Sequence, residues 1–118
     1  MKPTVMLSFR IYPGVKDALE KMRGRDQSMR SVFEGVLMGY LNEQRRWFAK
    51  CRDEAIATIA EERTVLEQQK DEDVIKSLHQ LLAHYEANLA NAELNYAKYT
   101  DIQRTAFPNM AVNAEEDA

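Results

Sequence analysis

At 118 residues the chain has room for one small domain and an appendage. Its composition, with 45% hydrophobic and 30% charged residues, indicates that at least part of it folds. No stretch is apolar for long enough to span a bilayer, no secretory signal is recognisable, and the single cysteine excludes an internal disulfide and a cysteine-rich zinc site. We therefore expect a cytoplasmic protein with no membrane contact.

Charge divides the chain into two parts. Residues 1–50 contain ten basic and five acidic side chains, a net charge of +5, whereas residues 51–118 contain six basic and fourteen acidic ones, a net charge of −8. This asymmetry indicates a polyanion-binding N-terminal part on a body that repels polyanions, although charge blocks also occur as ordinary solvated faces.

Residues 4–12 alternate between apolar and polar side chains, a period of two that is typical of a β-strand. A lone strand leaves its backbone donors and acceptors unpaired, so we expect it to pair with the same strand of a second copy. One side of the strand would carry Val5, Leu7, Phe9 and Ile11, and the other would carry Met6, Ser8 and Arg10.

Two short amphipathic helices are predicted next. Pro13 suits a first helical turn, Gly24 can end that helix, and Ser28 can cap the following one. One copy of these elements buries too little apolar surface for stability, so two intertwined copies are expected to share a core. Its predicted members are Val5, Leu7, Phe9, Ile11, Leu19, Val32, Phe33, Val36, Leu37 and Tyr40.

Helical periodicity continues from Asn42 to about Arg104, interrupted by a charged joint at residues 70–73. The later helix carries an apolar seam with heptad spacing, which either packs on residues 47–66 of the same chain or joins chains. We favour interchain association, giving a dimer or a tetramer. The seam comprises Leu78, Leu82, Tyr85, Leu89, Ala92, Tyr96 and Tyr99.

The order of strand, short helix, Gly-containing turn and Ser-capped helix resembles the ribbon-helix-helix (Arc/MetJ-like) family of DNA-binding proteins. The resemblance covers about residues 3–44 and lies in the runs 7–11, 14–19 and 27–33. It implies an intertwined homodimer whose antiparallel β-ribbon enters the major groove of double-stranded DNA. The expected fold class is therefore mainly α, with a ribbon-helix-helix N-terminal domain followed by long, coiled-coil-like helices.

Three domains follow from this interpretation. Residues 1–45 would form the DNA-binding domain, residues 46–107 a helical region for oligomerisation or partner binding, and residues 108–118 a disordered acidic tail.

The resemblance also implies the DNA contacts. Met6, Ser8 and Arg10 would face the bases, with Arg10 suited to bidentate contact with guanine. Met6 offers only apolar contact, where the family usually has a hydrogen-bonding residue. Backbone N–H groups at the start of the second helix would hold a phosphate. The predicted phosphate contacts are Lys2, Arg23, Arg25, Ser28, Met29 and Arg30.

The expected function is sequence-specific DNA binding as a transcriptional repressor. The alternative is a plasmid or phage accessory protein, for a conjugation relaxosome or for partition, that recruits a protein partner through the C-terminal helices. An antitoxin ranks lower because the seam is regular, and a scaffold without DNA would leave the strand unexplained. No phosphate loop or catalytic set is present, and His79 and His84 are badly spaced for sharing a metal, so we expect neither an enzyme nor a cofactor.

Overall fold

The computed structural model of the chain describes residues 6, 8 and 10–109. In this part of the chain there are three helices: α1 (Pro13–Met22), α2 (Met29–Glu67) and α3 (Glu72–Ala106). The mainly α character agrees with the sequence-based expectation. Two compact units divide after Leu37: the N-terminal unit, up to Leu37, and the helical hairpin, from Met38 onwards.

The predicted N-terminal β-strand is wrong, and with it the ribbon-helix-helix fold. None of the described residues forms a strand, and Met6, Ser8 and Arg10 lie outside any regular element. Alternating side chains give an extended segment one apolar and one polar face. A strand also needs a neighbouring strand as its hydrogen-bonding partner, and none of the described residues supplies one. The carbonyl of Tyr12 instead accepts hydrogen bonds from the N–H groups that open α1. Val5, Leu7 and Phe9 lie outside the described residues.

Helix α1 begins where its sequence predicts and ends one residue before the extended Arg23. Pro13 occupies the first turn, where its missing N–H removes no helical hydrogen bond. In the turn that follows, the Gly24 N–H donates to Gln27 Oε1 at 2.7 Å. A Cβ at position 24 would lie 3.0 Å from that oxygen, so glycine suits this close approach. No residue of α1 is buried.

The helical hairpin consists of the later part of α2 and the antiparallel α3. Arg45 contacts Thr100, and Arg63 contacts Glu86, so paired positions run in opposite directions along the chain. The reversal lies between Glu67 and Glu72, and overlaps the charged joint predicted at residues 70–73. Several core residues are alanines, which let the helices approach closely. The buried hydrophobic residues of the hairpin are Leu41, Ala49, Ala55, Ile59, Leu82 and Ala92.

The Asp71 carboxylate caps α3. It accepts hydrogen bonds from the N–H groups of Asp73 at 2.9 Å and Val74 at 3.4 Å. Helix α3 ends at Ala106, close to the end predicted from Pro108. The predicted acidic tail lies, apart from residues 108 and 109, outside the described residues.

Candidate nucleic-acid interface

The start of α2 is open to an external anion. Ser28 Oγ accepts from the Ser31 N–H at 3.1 Å, as the predicted capping role requires. Among the predicted phosphate contacts, Met29 and Arg30 form the first helical positions, whose N–H groups have no carbonyl one turn earlier within the helix. The first turn of α2 contains no acidic residue, whereas the first turn of α3 contains Glu72 and Asp73. No acidic side chain of the first turn therefore offsets the positive end of the α2 dipole, and an external anion can bind there.

Three exposed arginines lie near this helix start in the sequence. Arg23 pairs with Glu20 at 3.3 Å, and both side chains are more than 40% exposed. Arg30 pairs with Glu34 at 3.6 Å, at 71% and 57% exposure. Such surface pairs stabilise a protein by only about 0–1 kcal/mol, so either arginine can exchange its carboxylate for a phosphate. Arg25 is exposed and has no ion pair with any other described residue.

The residues predicted to read bases are accessible but are not held by a sheet. Met6 is 94% exposed, and Ser8 and Arg10 are also exposed. In the predicted strand these three side chains would lie on one face and point toward the bases. Without the strand, nothing places them on a common face. Lys2, predicted as a phosphate contact, lies outside the described residues.

Apolar residues predicted for the shared core are largely exposed in the N-terminal unit. Phe33, Val36 and Leu37 are 37–44% exposed, and Ile11 is 38% exposed. Only Val32 is buried, at 6%, and Leu19 is half-buried. An open cleft of about 400 Å³ lies among apolar side chains that include Ile11, Leu19 and Phe33. The lining of this cleft also includes the polar residues Ser8, Lys16 and Glu20.

Tyr40, also predicted for the shared core, lies in the helical hairpin and is 50% exposed. Its ring meets that of Tyr99 edge-on, with 6.3 Å between the ring centroids. A hydrogen bond with Tyr99 raises the pKa of the Tyr40 hydroxyl above its ordinary value.

The predicted oligomerisation seam faces the α2 helix of its own chain. Leu82 and Ala92 are buried, and the Tyr99 ring stacks on Phe48 with centroids 5.8 Å apart. The remaining members, Leu78, Tyr85, Leu89 and Tyr96, are half-buried. The seam residues therefore make an intrachain contact with α2, whereas we favoured interchain association from the sequence.

Sequence reasoning missed a buried polar network in the hairpin. Arg45 is 3% exposed and donates from Nε to Thr100 Oγ1 at 3.1 Å, from Nη1 to Gln103 Oε1 at 2.9 Å, and from Nη2 to the Tyr96 hydroxyl at 3.2 Å. Gln103 Nε2 in turn donates to Asn42 Oδ1 at 2.7 Å. The available signal was the heptad itself, because Gln103 follows the seam residue Tyr96 by seven positions.

The described residues offer neither a metal site nor a membrane span. No three or more of their His, Cys, Asp or Glu side chains are grouped so that they could hold a metal ion. None of the described helices has the length and hydropathy needed to cross a bilayer.

Comparison of the chain with models of known protein families, with curated proteins and with solved structures finds no match.

Proposed function

We propose that this chain is a DNA-binding protein and that its N-terminal unit binds the phosphate backbone. The protein acts as a homodimer and serves as a transcriptional repressor. The observation that carries the proposal is the start of α2. There an acid-free helix N-terminus lies within a few residues of three exposed arginines. The same part of the chain holds its excess of positive charge.

The chemistry of this surface suits a phosphate diester. Backbone N–H groups at a helix N-terminus can hold phosphate oxygens, and the helix dipole favours the negative charge. Guanidinium groups add charge-assisted, often bidentate, hydrogen bonds to the same oxygens. Contacts of this kind position a protein on DNA without reading its sequence, so specificity needs further contacts to base edges. Arg10 and Ser8, both exposed, have side chains able to make such contacts.

A second copy is the occupant we propose for the exposed apolar face of the N-terminal unit. The face includes Val36 and Leu37, which are 44% and 42% exposed in a single chain. Covering them with the same face of another copy removes apolar surface from water, which is the main favourable term in association. A dimer would also present two phosphate-binding helix starts to one duplex, as a symmetric operator requires.

DNA binding by these arginines is tested by fluorescence anisotropy on labelled duplex DNA, comparing the wild type with the double variant Arg25→Gln, Arg30→Gln. Affinity should fall on the order of tenfold for each phosphate that the variant no longer neutralises, at about 0.1 M salt. The matched control is Lys76→Gln, which removes an exposed positive charge from the acidic part of the chain.

The control should bind DNA as the wild type does. Equal affinity of the double variant and the wild type, with unchanged helical content by circular dichroism, would refute the assignment of the phosphate site to the start of α2.

A further inference from the structure

Eight consecutive residues of α2 bury no side chain, although the helix continues on both sides of them. Val32 is 6% exposed and Leu41 is 2% exposed, but none of residues 33–40, all of which the structure describes, is buried, and only Met38 among them is half-buried. The division between the two compact units falls in the same stretch, after Leu37. Most of the stability of a helix in a protein comes from the burial of an apolar face. Residues 33–40 therefore gain little stability from the rest of their own chain.

The same stretch contains both glycines of α2, Gly35 and Gly39. Neither has a positive φ, so the local backbone conformation does not require glycine. A Cβ added at either position would meet nothing within 4 Å beyond the local backbone of the helix, so packing within the chain does not require glycine either. Glycine is a weak helix former because it loses the most backbone freedom on folding. The two glycines therefore destabilise α2 at a point where no burial offsets their effect.

We propose that residues 33–40 form a hinge, in which the hydrogen bonds of α2 open locally while the helix on either side stays closed. Regions with few buried apolar contacts open at a much lower free energy than the whole protein. Before the hinge, Ser28 Oγ accepts from the Ser31 N–H, and after it Arg45 donates to Thr100, so other contacts stabilise the helix on both sides. The hinge lets α2 change direction without losing those contacts. This inference holds whether or not the protein binds DNA.

Hydrogen–deuterium exchange of the full-length protein, measured by mass spectrometry of peptic peptides, tests the hinge. In the wild type, the amides of residues 33–40 should be less protected than those of residues 45–55 in the same helix, by about tenfold or more. The double variant Gly35→Ala, Gly39→Ala should raise the protection factor of residues 33–40 by about 15–30-fold, because alanine favours the helix more than glycine does. Low protein concentration is used, since a second copy on Leu37 would also hold the segment closed.

Gly14→Ala is the matched control, because Gly14 lies in α1 and a Cβ added there would also meet nothing within 4 Å. It should leave the protection of residues 33–40 at the wild-type value. Equal protection of residues 33–40 and 45–55 in the wild type, or no change in the double variant, overturns the proposal. Lower protection in the double variant also overturns it, because the glycines would then serve the close approach of another backbone.

Discussion

At the scale of single residues, Arg45 defines how α3 lies on α2. A buried guanidinium is costly unless its N–H groups find acceptors, and Arg45 finds them on Tyr96, Thr100 and Gln103. These acceptors occupy one face of α3 near its C-terminal end. A shift of α3 by one turn would separate them from the guanidinium, so the network favours a single register of the hairpin. Alanines elsewhere in the core specify register less strongly.

Gln103→Leu tests this network. It removes the acceptor of Arg45 Nη1 and the donor to Asn42, and a buried polar group left without its partner costs about 1–3 kcal/mol. We expect the free energy of unfolding, measured by urea titration with circular dichroism, to fall by that amount. Gln80→Leu makes the same change at an exposed site of α3 and should stay within about 0.5 kcal/mol of the wild type. Equal destabilisation of the two variants would show that the network contributes no register-specific stability.

At the scale of elements, the helices differ in how much of their apolar surface is buried within one chain. In the helical hairpin, α3 has a capped start, a partly buried seam and a polar network with α2. In the N-terminal unit, α1 has no buried residue, and the first turns of α2 bury only Val32. The hydrophobic effect stabilises a helix only through the apolar surface it removes from water. The N-terminal unit therefore leaves a larger share of its apolar side chains exposed than the hairpin does.

Leu37→Ala tests whether a second copy covers the face of α2 that contains Leu37. Leu37 is 42% exposed in a single chain, so without a partner its truncation should lower stability by about 1 kcal/mol. If a second copy buries it, the cost rises to about 2–5 kcal/mol, and the melting temperature depends on protein concentration. We expect the larger cost, measured by thermal and urea unfolding at two concentrations. Leu94→Ala is the exposed control, and a Leu37→Ala destabilisation no greater than that of the control would contradict dimerisation through this face.

Local signals were enough to predict some elements. Pro13 opens α1, Ser28 caps α2, and the reversal overlaps the charged joint. Each depends on residues within a turn or two of one another. The strand prediction failed because alternation describes a side-chain pattern, whereas a strand depends on a distant hydrogen-bonding partner. The Arg45 network was missed for the same reason, because its partners lie 51–58 positions away and only the fold brings them together.

At the scale of the whole molecule, the uneven distribution of charge along the chain supports the proposed function. The positive excess of residues 1–50 and the negative excess of residues 51–118 would orient the chain on a polyanion with its basic part inward. A repressor would use this to hold DNA with one part of the chain while the acidic part stays off the phosphate backbone. A plasmid or phage accessory protein would differ by using its C-terminal helices to recruit a foreign protein.

The most direct test of DNA binding by the basic part is the salt dependence of affinity for duplex DNA. Phosphate contacts release counterions, so the logarithm of the association constant should fall linearly with the logarithm of salt concentration, by about 0.9 for each phosphate neutralised. We predict a steep negative slope for the full-length protein, reduced by about 3.6 in the double variant Arg25→Gln, Arg30→Gln, because a dimer of the variant lacks four arginines. A slope near zero, or one that this variant leaves unchanged, would contradict the proposal.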